Sequence, residues 1–311
     1  MALHAWFPLG ECGADCVRPP RSRAGGLRAA VRVTRLLLVV SMLGVAAPAV
    51  WRVAPDRRHR FARWSSRRVL VALGITLVVN DRRLIDADPR VPIGGLVVAN
   101  HVSFLDTLAI SAITPARFVA KSEVLEMPGF GLLARRLGVI GVVRSSLREL
   151  PGTVERVAQA LRDGGAVAVF PEGTTWCGAA AGWFRPAFFA AAHAAGAPIM
   201  PMTVEYHEDD GRHCSAAAFI GEDSPLDTLR RVLAVRAMTI TVTAHRVELP
   251  TPDRRADARL AQAAVLGYGG GSPRSGGKRA LAGSSSSKNS APSNPVRRPI
   301  AETGNDRSLA L

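Results

Sequence analysis

The chain has 311 residues, room for one large domain or two modest ones, with 48% apolar residues and a formal net charge of +15. Four scattered cysteines (Cys12, Cys16, Cys177, Cys214) do not make a disulfide framework in a chain this long, so a reduced, cytosol-facing setting is the simpler inference. Cys12-x-x-x-Cys16 has no matching His or Cys pair at zinc spacing, which argues against a metal site. So strong a positive charge draws nucleic acid, anionic lipid or phosphorylated substrates. No helix-turn-helix, zinc-finger or RNA-binding signature stands out, so nucleic acid is not the expected partner. Only Lys121, Lys278 and Lys288 are lysines; so Arg-, Ala-, Gly- and Val-rich a chain fits a high-GC, bacterial genome.

Residues 1–24 carry Arg, Pro and Gly and are expected to be poorly ordered. Residues 25–80 hold two apolar runs. Leu36 to Val50 is apolar apart from Ser41, close to the lower limit for a spanning helix. Val69 to Val79 is shorter. Between them lie Arg52, Arg57, Arg58, Arg60, Arg63, Arg67 and Arg68. Two short apolar helices with an arginine-rich connection form a hairpin suited to dip into one leaflet, guanidiniums at the anionic headgroups. Alternatives are one true span from Leu36, a signal peptide cleaved near Ala47-Pro48-Ala49, or a buried core helix over Val69 to Val79.

From Gly94 to about Thr243, within a domain of residues 81–250, strand and helix patterns alternate. Strands are expected at Leu96–Ala99, Arg117–Ala120, Val139–Val143, Ala166–Phe170, Ile199–Val204, Ala216–Ile220 and Met238–Thr243. Helices are expected at Phe104–Ile113, Gly129–Leu137, Pro151–Arg162, Pro186–Ala195 and Pro225–Val235, with Gly138, Gly164 and Gly196 as stops. This alternation predicts an α/β fold with a largely parallel sheet. Residues 251–311 become rich in Gly, Ser, Asn and Pro and are expected to be a disordered tail.

The stretch Asn100-His101-Val102-Ser103-Phe104-Leu105-Asp106 sits where the strand Leu96–Ala99 gives way to a helix. Open α/β sheets place their chemistry at such junctions. A histidine there can take a proton near neutral pH, and a carboxylate on its far nitrogen fixes the tautomer and stabilises the imidazolium. Five residues apart, His101 and Asp106 would not share a face of one straight helix, but with His101 on the preceding loop they can meet. Ser103-x-x-Asp106 is also a capping-box-like start, so Asp106 could serve only the helix.

Three further stretches carry polar groups at strand ends. Glu172-Gly173-Thr174-Thr175 offers backbone N–H groups and two hydroxyls to an anion, or is a plain turn. Arg144 emerges from a buried strand and can grip a phosphate, or is simply solvated. Lys121 is retained where Arg has replaced nearly every other lysine, which points to a wanted ammonium or to chance.

In order, His101-x4-Asp106, Lys121-x-Glu123 with Pro128 and Gly131, Gly138-x5-Arg144, Phe170-Pro-Glu-Gly-Thr174 and Ile199-Met-Pro201 resemble the blocks of the glycerophospholipid (lysophosphatidate) acyltransferase family. The resemblance covers roughly residues 70–204. It implies a glycerol-3-phosphate acyltransferase-like αβ domain with an N-terminal two-helix membrane anchor, on the cytoplasmic face of a bacterial inner membrane. It implies acyl transfer from acyl-CoA or acyl carrier protein to a lysophospholipid hydroxyl, most simply 1-acylglycerol-3-phosphate to phosphatidic acid, with no cofactor and no metal. His101 would be the general base and Asp106 its orienting partner; Lys121, Arg144, Glu172, Gly173 and Thr174 would hold the acceptor. The family's Phe-Lys/Arg-x-Gly stretch stands here as Phe184-Arg185-Pro186-Ala187, without the Gly. Two alternatives stand beside this: acylation of another lyso-lipid, such as a lyso-ornithine lipid, or a non-catalytic basic protein binding membrane surfaces or nucleic acid.

Overall fold

Gly95–Ala99 is buried along its whole length, and every other element is placed around it. The computed structural model describes residues 8, 10–50, 52, 54–83, 94–127 and 130–267. In chain order these form helices α1 (Gly26–Val50) and α2 (Pro55–Ala72), strands β1 (Ile75–Asp81) and β2 (Gly95–Ala99), helix α3 (Leu105–Ser111), strand β3 (Arg117–Lys121), helices α4 (Ser122–Glu126) and α5 (Phe130–Arg136), strand β4 (Ile140–Val142), helix α6 (Leu150–Arg162), strand β5 (Ala166–Val169), helix α7 (Phe189–Ala195), strand β6 (Ile199–Glu208), helix α8 (Pro225–Ala234), strand β7 (Met238–Ala244) and helix α9 (Arg254–Leu266).

The strands make one seven-stranded sheet in the order β1-β7-β6-β2-β5-β3-β4. All neighbours are parallel except β6 and β7, so the expected largely parallel sheet is what forms. Burial on both faces explains the unbroken apolar runs of β2 and β5. Successive side chains alternate between layers. Val97, Ala99, Ala166 and Ala168 pack with Leu70 and Leu73 at the end of α2, with α3 and with α8. Leu96, Val98, Val167 and Val169 pack against α6, α7 and α9.

The sequence expectation for Val69 to Val79 is corrected. Gly74, with φ +75°, ends the helical run, and Arg32 lies so close that a Cβ there would collide with it. Such a φ favours glycine. Ile75 onward then pairs in parallel with β7. The helical hairpin is therefore α1 with α2, and α2 carries all the arginines expected in the connection except Arg52. Among the described residues only α1 is long and apolar enough to cross a membrane. Its first turns are tied to the domain: the buried Arg32 guanidinium donates to the carbonyls of Leu233, Val235 and Arg236 at the end of α8 and just past it. Leu37, Leu38, Val40, Met42 and Val45 stay exposed beyond that point.

Three other expectations change. Residues 10–24 are laid against the domain: Arg18 N–H donates to Ser215 Oγ at 2.8 Å, Arg21 N–H to Glu208, and Ala24 N–H to the Ala234 carbonyl. Ala216–Ile220 is not a strand; residues 215–217 form a buried 3₁₀ turn. Within the expected tail, Asp253 caps α9, which buries Ala258, Ala261 and Val265 against the sheet layer. The tail beyond 267, and Pro128, lie outside the described residues.

Candidate active site

The carboxyl end of β2 delivers Asn100 and His101, and α3 starts four residues later. Asn100 is clamped to β6 by a pair of bonds: its Nδ2 donates to the Val204 carbonyl, and its Oδ1 accepts from the Val204 N–H. This holds the chain immediately before His101. His101 Nδ1 lies 2.9 Å from Asp106 Oδ2. The same oxygen accepts the backbone N–H groups of Val102 (2.8 Å) and Ser103 (2.9 Å). Asp106 Oδ1 accepts the Tyr206 hydroxyl at 2.5 Å. Both readings of Asp106 thus hold together, because one carboxylate secures the helix start and the imidazole.

A carboxylate facing Nδ1 makes that nitrogen the protonated one and leaves Nε2 with the lone pair. The His101 side chain is 16% exposed and that of Asp106 not at all, so only the imidazole can meet a ligand. The ring stacks on Phe170 at 3.9 Å and 9°, and Phe170 stacks in turn near Phe118. Burial and the nearby Asp106 charge keep the Tyr206 phenol protonated, its pKa well above the ordinary value.

Glu172 departs from its expected use as an acceptor-holding group. It is 3% exposed; Oε1 accepts the His101 N–H and Oε2 the Gly182 N–H, both at 3.0 Å. Both oxygens face the protein and hold the loop that carries His101. Burial pushes its carboxyl up from 4.5 to about 8, against the pull of those two N–H groups. Gly173 takes φ +78°, and a Cβ there would sit 2.8 Å from Pro8. Thr174 lies beneath the same amino-terminal segment, against Gly10. Trp176 N–H donates to the His101 carbonyl at 2.8 Å, closing the turn onto the loop that carries His101.

Basic groups gather beside this turn. Lys121 and Arg144 leave the ends of neighbouring strands β3 and β4, near enough that the Arg144 charge acts on Lys121. Burial pushes Arg144 down to about 10, Glu123 works against that, and Arg185 adds to it. Exposed Lys121 is held below its usual value by partial desolvation and by Arg144, with Glu123 again opposing. Arg185 follows the Glu172 turn: its N–H donates to the Pro171 carbonyl, and its Nε lies 3.4 Å from where a Gly173 Cβ would be. So the His101 ring meets Asp106 and the His101 backbone N–H meets Glu172, while Arg144 lies close enough to feel Arg185 and to act on Lys121, with Arg185 bordering Gly173. Sequence reading left Arg185 unassigned and missed Tyr206, Asn100 and Phe170. Phe170 and Asn100 stood within recognised stretches without a role; nothing local marked Tyr206.

A family model described as Acyltransferase matches residues 86–205. The chain is 32% identical over 188 residues to the 1-acyl-sn-glycerol-3-phosphate acyltransferase of Neisseria meningitidis, covering 60% of this chain and 71% of that one. It is 34% identical over 253 residues to the lyso-ornithine lipid O-acyltransferase of Pseudomonas aeruginosa, covering 77% of this chain and 92% of that one. The crystal structure of a 1-acyl-sn-glycerophosphate acyltransferase from Thermotoga maritima superposes with a TM-score of 0.58 at 17% identity, over 77% of this chain and 93% of the other, which shows the shared fold.

Proposed function

The chain belongs to the acyltransferase family, and from that premise we propose that it transfers an acyl chain from acyl-CoA or acyl carrier protein to the free hydroxyl of 1-acylglycerol-3-phosphate. The observation that carries this reading is the His101 imidazole, bonded at Nδ1 to a fully buried carboxylate and partly exposed at the rest of its ring. Nε2 takes the proton as the acceptor hydroxyl attacks the thioester carbonyl. Collapse of the tetrahedral adduct expels the thiolate, which takes that proton back from the imidazolium. The transfer is direct, with no covalent enzyme intermediate, and as written it needs no resident cofactor. Arg144, Lys121 and Arg185 supply charge for the acceptor's phosphate. Glu172 and Gly173 shape the turn that joins the His101 loop to Arg185, and Thr174 adds a hydroxyl. Membership of this enzyme family sets aside the non-catalytic basic binder.

The hairpin supports work at an anionic, cytoplasmic membrane surface. α1 presents an exposed apolar side, and α2 carries Arg60, Arg63, Trp64 and Arg67 around a shallow groove. A second reading, lyso-ornithine lipid as acceptor, draws on the match to the Pseudomonas aeruginosa enzyme, which spans nearly all of that protein.

The test is turnover of purified protein with lysophosphatidate and with lyso-ornithine lipid, each offered with acyl-CoA and with acyl carrier protein. Lysophosphatidate should be acylated faster, and His101→Ala should lose about 10²–10⁴-fold of the rate. Preference for the phosphate-free acceptor transfers the assignment to the second reading. Unchanged turnover in His101→Ala removes the general base from the mechanism.

A further inference from the structure

We propose that Cys12, Cys16 and Cys177 form a three-thiolate site for Zn²⁺ that pins the amino-terminal segment over the Glu172–Thr175 turn. The three sulfurs lie within 4.8 Å of one another. None is in a disulfide; Cys12 and Cys177 are buried and Cys16 half-buried. A tetrahedral zinc with Zn–S bonds of about 2.3 Å sets its sulfurs about 3.8 Å apart, so ligation requires shifts of about 1 Å or less. Three sulfurs with no carboxylate among them make a soft set suited to Zn²⁺ rather than to Mg²⁺ or Ca²⁺. Three protein ligands leave one tetrahedral position for water or another donor. Each thiol gives up its proton on ligation, so binding one ion releases protons to solvent.

The surroundings are those of a held ligand set. Cys12 and Cys16 are four apart, Cys12 just before a single 3₁₀ turn (Ala14–Cys16) and Cys16 at its end, and the turn brings their sulfurs together. Cys177 comes from the far side of the domain's sequence, its N–H directed at Cys12 Sγ at 3.4 Å. Backbone N–H groups of Ala179 and Ala180 face the Cys177 sulfur, and such outer contacts orient thiolate ligands. The Cys177 carbonyl bonds His213 Nε2 at 3.0 Å, which fixes the peptide that presents the third sulfur. Sequence spacing could not show this group, because the partner of the Cys12–Cys16 pair is a single cysteine on a distant loop.

The consequence is mechanical. Pro8 and Gly10 abut Gly173, Thr174 and Thr175, and Trp176, the residue before Cys177, bonds the His101 carbonyl. An ion at the three sulfurs would join the segment 10–17 to the loop behind His101. The role is structural, and its test does not depend on acyl transfer.

The full-length protein is purified under reducing conditions, stripped with a chelator and titrated with Zn²⁺ against a chromophoric chelator. The expected stoichiometry is one Zn²⁺ per chain. Co²⁺ in its place should give intense thiolate-to-metal charge-transfer absorption, lost in Cys16→Ser and kept in Cys214→Ser. In the unmutated protein, Zn²⁺ should protect Cys12, Cys16 and Cys177 from alkylation, read by mass spectrometry, which needs no variant to fold. At free Zn²⁺ 100-fold above Kd, opening of the segment should fall about 100-fold, and trypsin cleavage after Arg21 and Arg23 should slow accordingly. Substoichiometric binding, binding that persists in Cys16→Ser, or alkylation indifferent to Zn²⁺ would each overturn the site.

Discussion

The Tyr206 hydroxyl donates to Asp106 Oδ1 at 2.5 Å from a residue a hundred positions downstream. Both side chains are fully buried. The tyrosine occupies the one Asp106 oxygen that the imidazole and the two backbone N–H groups leave open, so the carboxylate cannot rotate away from His101. Tyr206→Phe keeps the packing and removes this bond. A hydrogen bond to a buried charge contributes about 1.5–3 kcal/mol. The expected result is a lower melting temperature and a reduced kcat with KM for the acyl donor little changed, measured by calorimetry and steady-state kinetics.

Asp106→Asn should be more damaging to the fold than His101→Ala, although both abolish the pair. The asparagine NH₂ would face either the His101 Nδ1 proton and the Val102 and Ser103 N–H groups, or the Tyr206 hydroxyl. In the first orientation a donor faces buried donors; in the second the phenol must accept and its own proton loses the carboxylate; an unmet buried donor costs about 1–3 kcal/mol. His101→Ala removes a partly exposed ring and loses mainly its stacking on Phe170. Rates should fall about 10²–10⁴-fold in each, while denaturant midpoints separate them. Equal midpoints would contradict the network described.

Glu172 makes a pH prediction. Its carboxyl titrates near 4.5 when unfolded and near 8 in the buried site. Between those values the folded state binds more protons than the unfolded, so this group lowers stability as pH rises from 4.5 to about 8 and adds nothing further above. Glu172→Gln should flatten that part of the stability profile. It should also destabilise at every pH, because its NH₂ must face the N–H of His101 or of Gly182. Melting temperature against pH for the two proteins checks both statements.

Arg144→Ala tests the cationic group. If this guanidinium contacts phosphate, its loss should raise KM about 10- to 100-fold for lysophosphatidate, the equivalent of one charged hydrogen bond. A phosphate-free acceptor should be affected far less, and the donor KM should hold. Equal effects on both acceptors would leave Arg144 a structural residue.

Local chemistry made much of this protein legible from its chain. A four-residue apolar run, a loop histidine and an aspartate in the first turn of α3 are all within a dozen positions, and strand-to-helix junctions are written in such short patterns. The alternating layers, the parallel sheet and the pairing of His101 with Asp106 follow from that. Val69 to Val79 misled because an apolar run of that length suits a buried strand as well as a helix; Gly74 and the pairing with β7 decided between them.

What the chain alone could not declare is who stands behind each functional group. Tyr206 reaches Asp106, Glu172 turns inward to the His101 and Gly182 N–H groups, Arg185 joins Arg144, and Cys177 meets Cys12 from 165 residues away. Periodicity reports only which way neighbouring side chains face. Contacts across crossovers depend on how the layers close over the sheet, and burial, which turns a carboxylate from ligand-seeking to loop-holding, exists only after they have closed.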